Sequence, residues 1–260
     1  MSRGLWDRET VALLLLAALM PMAMLWLWYG GAAAFGRLWL ALLVAGAWHL
    51  LFMLARAQPP SFAGALSALA IAMLAPVELG PLRLALGISF GVIAGELVFG
   101  GWGRNLVNPA TVALAFLGFG FPAAPWPDLL APLAWAAIPA ALIGLAAGVM
   151  PAGVIGGALA AGLAAQAAAP LPPGIWIAAS VALVLLVADP VASAGTRLGR
   201  WLNGALYGGL VILFAHWWTG AAPVQIAVAA ALLASLTAPL LDEAAIALWL
   251  AQRRRRLGQS

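Results

Sequence analysis

The side chains here that could do chemistry cluster in two passages of an otherwise apolar chain. Phe99 to Thr111 reads FGGWGRNLVNPAT, and Leu186 to Gly209 reads LVADPVASAGTRLGRWLNGALYGG. In the first, Gly100, Gly101 and Gly103 permit positive φ and close backbone approach. Asn105 and Asn108 can cap a helix or complete a turn, and Pro109 suits a first helical turn. With Arg104 inside it, the passage predicts a tight turn feeding a helix that starts before Thr111. The free N–H groups and dipole at such a start favour an anion. No Gly-Lys-Ser/Thr follows, so a Walker loop is excluded, and no strand precedes, so a Rossmann turn is excluded. The same residues also read as a plain structural turn.

In the second passage Asp189 precedes Pro190 at the end of a short apolar run. A carboxylate at membrane depth is costly and usually has a partner or a role. Arg197 and Arg200 are near enough in sequence to be that partner, and a surface salt bridge is the alternative. Glu96, in GVIAGELVFGG, is a candidate proton or cation site. Its closeness to Gly100 and Arg104 favours a side chain that reaches the interface. Asp242 follows TAPLL in the last apolar segment, with Glu243 beside it, and Pro239 is a candidate break there. His49 and His216 would have to share one depth to hold a haem. The topology below puts them toward opposite faces, so no metal site is expected.

These residues sit in a membrane chain. Of the 260 residues, 65% are hydrophobic and 8% charged, against roughly 25% charged in soluble domains. The net charge of +4 comes from arginine alone, and four of the twelve arginines form the run Arg253 to Arg256. No soluble basic face exists, so nucleic acid is not an expected partner and arginine is read as a topology signal. Without cysteine, disulfides and thiolate metal sites are excluded. The first apolar run, from about Val11 to Tyr29, is long enough to span and lacks an A-x-A-like site, so it reads as a retained helix.

Ten apolar segments are expected: 10–30, 38–55, 61–76, 82–99, 105–121, 129–149, 151–169, 174–188, 201–218 and 223–250. With both termini cytoplasmic, Arg3, Arg8, Arg56, Arg104, Arg197, Arg200 and Arg253 to Arg256 face inward. Only Arg37 and Arg83 fall outside, as the positive-inside rule expects. Trp26, Trp28, Trp217 and Trp218 read as an interfacial belt. A shift of 114 positions brings Pro76-Val77 onto Pro190-Val191 and Arg83-Leu84 onto Arg197-Leu198. The segments 61–76 and 174–188 are both short, both run into proline, and both come third in their half. Two five-helix halves follow, residues 1–122 and 123–260, the second inverted. Paired broken segments in inverted halves point to a binding site near the bilayer middle; short tilted helices are the alternative.

FGGWGRNLVNPATVALAFLGFGFP resembles the GG-x-G-x-N-x-x-NPA passage of the RnfD/NqrB family. These are membrane subunits of the Rnf electron-transport complex and of the sodium-pumping NADH:quinone reductase. DPVASAGTRLGRWLNGAL resembles that family's DPV passage, and TAPLLD its VPLID ending. The resemblance implies an all-α, ten-helix inverted-repeat fold similar to urea transporters, in a bacterial inner membrane. It implies electron transfer across the membrane through flavin, alongside other membrane subunits and an FMN-binding partner, with coupling to ion transport. Gly100, Gly101, Gly103, Arg104, Asn105, Asn108, Pro109, Thr111, Asp189, Pro190, Arg197 and Arg200 are then the candidate cofactor-binding residues. Glu96, Asp189 and Asp242 are the candidate ion or proton sites. The chain departs from the family in three ways. The S-G-A-T motif that carries covalent FMN is absent, since PAT at 109–111 and AGT at 194–196 belong to the other motifs. The outer insertion is missing. Glu96 also stands where the family usually has lysine. FMN or riboflavin held without a covalent bond is therefore expected, and a flavin–threonine bond is not. A channel or carrier, or a scaffold subunit without chemistry, are the competing readings.

Overall fold

The computed structural model describes residues 7–56, 61–168 and 170–257. Arg3 lies outside them, and the side chains of Arg255 and Arg256 are likewise outside the description. The described residues form helices joined by short turns. They are α1 (Arg8–Arg56), α2 (Ala63–Leu74), α3 (Gly80–Gly95), α4 (Pro109–Gly120) and α5 (Ala131–Ala146). Then follow α6 (Ala152–Ala168), α7 (Pro173–Ala182), α8 (Arg197–Trp217) and α9 (Pro223–Leu257).

Helix α1 is two arms. At Gly31 the backbone turns to φ 54°, ψ −141°, a left-handed conformation costly for any residue with a Cβ. The arms then fold back on each other. Glu9 Oε2 accepts the Phe62 N–H at 2.9 Å, and Arg56 Nη1 donates to the Leu97 carbonyl at 2.7 Å. Arg8 and Arg56 therefore lie at one end of the bundle and Gly31 at the other. Arg8 also donates to the Trp102 carbonyl, which brings the FGGWGRN turn to this same end. Arg37 and Arg83 sit at the Gly31 end, Arg83 over the ring of Phe121. The arginines thus divide between the two ends as the sequence divides them between two faces.

Four helices are long and apolar enough to cross a membrane: Arg8–Arg56, Gly80–Phe99, Arg197–Trp217 and Pro223–Arg254. Bare Trp28, Phe119 and Trp217 stand on the outer surface of the bundle, each at least 80% exposed. A soluble protein does not leave this much large apolar surface in water, and the chain is a multi-pass membrane protein. Five further apolar helices are shorter. Helix α2 has 12 residues, about 18 Å at 1.5 Å per residue, well short of a ~30 Å hydrocarbon core. It stops where Ala75 becomes extended before Pro76. Helix α7 gives way to a π-helical turn over Leu183–Val187, then ends before Pro190. These stops coincide with the proline ends expected of segments 61–76 and 174–188.

Small residues let the remaining helices close up. A methyl on Gly157 of α6 would stand 2.9 Å from the Ala205 nitrogen of α8. Hydrogen bonds then tie α8 to its other neighbours. Asn203 Nδ2 donates to the Ala234 carbonyl of α9 at 2.7 Å, and Tyr207 Oη to the Ala179 carbonyl of α7 at 2.8 Å. Pro239 does not break α9, which runs through it to Leu257.

Candidate functional site

The two motif passages meet inside the bundle. Asn108 caps α4, its Oδ1 accepting the Ala110 and Thr111 N–H groups at 2.9 and 3.4 Å. Its Nδ2 donates to Asp189 Oδ2 at 2.9 Å. Asp189 Oδ1 accepts the Val191 N–H at 2.9 Å, which holds the turn through Pro190. One side-chain bond, spanning 81 positions of sequence, thus joins the NPA and DPV turns. Both residues are buried. Neither Arg197 nor Arg200 reaches Asp189. Arg200 Nε donates to the Ala194 carbonyl, and Arg197 is exposed. The partner is the amide across the bundle because the turn after Pro190 carries both arginines away from the carboxylate.

The glycine turn has the backbone its residue types require: Gly100, Gly101 and Gly103 take φ of 102°, 92° and 97°. Its N–H groups are consumed locally. Gly103 N donates to Asn105 Oδ1, Trp102 N to Glu96 Oε1, and Arg104 N to the Gly101 carbonyl. Asn105 Nδ2 closes the far side on the Val107 carbonyl. The negative charge near the α4 N-terminus is Asp189, held through Asn108, so the anion favoured by the helix start is part of the chain itself. Thr111 Oγ1 is buried without a hydrogen-bond partner.

Glu96 departs from its expected place. It is not at the interface but fully buried, because Oε1 also receives His49 Nε2 at 3.0 Å. Sequence reasoning missed this pair. His49 sits in the second arm of α1, 47 positions away, and no local spacing links the two. The two histidines do lie at opposite ends: His216 bonds the Ile212 carbonyl near the end of α8. Asp242 is a clip rather than a free carboxylate. It accepts from Gly195 N at 2.6 Å, Thr196 N at 2.8 Å and the Thr196 hydroxyl. Thr196 in turn caps α8 through Gly199 N.

Between Asn108 and Asp189 lies a cavity of about 30 Å³, walled by Leu15, Ser67, Trp102 and Leu185. That volume holds a water or two, or one bare cation. A flavin ring system needs a pocket of several hundred Å³, roughly 300–1,000 Å³ for organic ligands. With their polar groups also engaged on one another, the candidate residues do not fit a flavin at this cavity. A larger apolar cavity of about 280 Å³, between α6, α7 and α8 beside Trp176 and Tyr207, includes none of those residues.

Residues 6–144, more than half of the chain, match the model of the NQR2, RnfD, RnfE family. Among curated proteins the chain is similar to the NqrB-type subunit of Na(+)-translocating NADH-quinone reductase. It is 40% identical over 94 residues to that of Pseudomonas paraeruginosa, covering 36% of this chain and 23% of that protein. The Yersinia pestis relative is 38% identical over the same shares. That of Klebsiella pneumoniae is 40% identical over 81 residues, 31% of this chain and 20% of that protein. The alignments span less than a quarter of each relative.

Proposed function

The chain belongs to the NQR2, RnfD, RnfE family, and on that premise we propose that it is a membrane subunit of an electron-transport complex coupled to ion movement. The names of its reductase relatives support this reading. The observation that carries it is the Asn108–Asp189 bond, which seals two interrupted helical passages around a small polar cavity. Interrupted helices that meet at depth are where ion sites form in membrane proteins. In this reading a cation crosses at the cavity, with Asp189 as its charged ligand and Asn108 as the neutral one.

The same reading assigns ten crossings in two inverted halves, 1–122 and 123–260, in a bacterial inner membrane with both termini cytoplasmic. Its support is directional. Helix α2 breaks at the Gly31 end and α7 at the Arg8 end, as halves of opposite sense require. Partners would be other membrane subunits, one of them carrying the flavin that this cavity has no room for. Gly100 to Asn108 and Asp189 to Arg200 would face such a partner's redox group.

An absorption spectrum of the detergent-purified complex, followed by acid precipitation, tests the proposal. Flavin bands near ~450 nm released to the supernatant support a carrier of non-covalent flavin. Colour in this chain's pellet band means a covalent site. A complex with no redox centre near this subunit overturns the electron-transport reading. The small cavity favours one other reading, an ion or small-solute carrier. Uptake into vesicles without an electron donor would establish that instead.

A further inference from the structure

The His49–Glu96 pair has no part in that reading and stands on its own geometry. We propose that it is a buried proton-binding site, entered from the Arg8 end and linked through Trp102 to the wall of the central cavity. The argument begins with hydrogen-bond accounting. His49 Nδ1 lies 2.9 Å from the Ala45 carbonyl, which can only accept, so Nδ1 carries a hydrogen. Nε2 lies 3.0 Å from Glu96 Oε1. A bare Nε2 facing a carboxylate would set two acceptors against each other, so one proton always sits between ring and carboxyl. That proton is the pair's resident.

A second proton has a place prepared. Glu96 Oε1 is fully used by His49 and the Trp102 N–H, the latter at 3.1 Å. Glu96 Oε2 is buried with no partner at all. On uptake, Nε2 keeps the resident proton and Oε2 takes the new one, so the pair passes from neutral to singly positive with no other bond made or broken. Entry is through the histidine edge, since the His49 side chain is 13% exposed and that of Glu96 0%. Room for the ring is built in. A methyl on Gly64, in the first turn of α2, would stand 2.7 Å from its Cε1.

The charged surroundings come from every packed element. The first arm of α1 brings Arg8 and Glu9, paired with each other at 3.2 Å. The second arm brings Arg56, on the Leu97 carbonyl; the glycine turn brings Arg104, beside Gly100. Helix α2 brings no charge. Beyond Trp102 the next carboxylate is Asp189, across the cavity. Trp102 shares in both sites, its N–H on Glu96 and its side chain in the cavity wall. A change at Glu96 therefore reaches the cavity through one residue.

The chain has only two histidines, which makes the test direct. The full chain with His216→Gln, labelled with 15N-histidine, is placed in lipid bilayers and followed by solid-state NMR from about pH 5 to about pH 9. The expected result is Nδ1 protonated throughout and a ring that gains a proton on acidification. A carboxylic-acid C=O band should grow over the same range in infrared difference spectra and be lost in Glu96→Gln. Ring shifts and a C=O band that stay constant across the range would overturn the proposal, as would a bare Nδ1. The titration in the His216→Gln protein leaves the pair intact, so it decides the matter even if Glu96→Gln does not fold. Flavin content has no bearing on it, so failure of the redox reading and failure of this site are told apart.

Discussion

The turn after α3 and the turn before α8 lie at the same end of the bundle, yet they are fastened by opposite charges. The first presents carbonyls, as the C-terminal end of a helix does. Arg56 takes that of Leu97 and Arg8 that of Trp102. The second presents amides, as an N-terminus does, and Asp242 of α9 collects those of Gly195 and Thr196. Both follow one rule: helix ends leave unsatisfied groups of known sign, and side chains of the other sign complete them. The comparison separates fastening charges from the buried acids that remain for chemistry, Asp189 and Glu96.

The sharpest break in this comparison is Asp189→Leu. It strips both Asn108 Nδ2 and the Val191 N–H of their acceptor in a buried place, at about 1–3 kcal/mol per orphaned group. Thermal unfolding in detergent should show a large loss of stability. Asp189→Asn keeps an acceptor and should cost under ~1.5 kcal/mol. If transport nevertheless falls at least tenfold in Asp189→Asn, the charge itself is used; unchanged transport would make Asp189 another fastener.

Asp242→Ala comes next. Its site is partly open, so water replaces much of what the carboxylate did, and about 1 kcal/mol is expected. Faster hydrogen exchange at Gly195 and Thr196 would check this. Equal exchange would mean the turn before α8 holds its shape without the clip.

The smallest effect belongs to Asp7, which caps the first turn of α1 through Thr10. The Thr10 hydroxyl, and after it the Thr10 amide, hold the Asp7 carboxyl below the usual carboxylate range. A carboxyl lowered in the folded state contributes fully above its unfolded value, near ~3.9, and loses that contribution as pH falls through the folded value. Amide exchange at Thr10 should therefore quicken below about pH 4 relative to the helix interior. In Asp7→Asn that acid dependence should vanish.

Much of this arrangement is legible along the chain because proline and glycine act locally. Pro76, Pro190 and the three glycines of FGGWGRN mark their turns by what their own backbones permit. The hydrophobic runs and the placing of arginine mark the helices and their two ends. The partners of the buried acids are another matter. Asp189 stands near Arg197 and Arg200 in sequence, yet its bond goes to Asn108 across the bundle. Glu96 reads as an interfacial residue until His49 is placed beside it. The Asp242 clip likewise joins residues some 47 positions apart. Such pairings depend on how the helices pack, and no periodicity within one helix encodes them.

Arg37 carries a consequence of its own. Its guanidinium donates to the carbonyls of Ala72, Ala75 and Pro76 at 3.2, 2.6 and 3.1 Å, where α2 stops. Those three acceptors are peptide dipoles, with no carboxylate among them. Salt weakens an exposed ion pair by crowding counter-ions within a Debye length of about 8 Å. At the end of α2 there is no opposing ion to mask, and the half-buried setting keeps bulk electrolyte away. The broken helix is thus fastened by a charge that ionic strength does not address, and it should hold its place in dilute buffer and in brine alike.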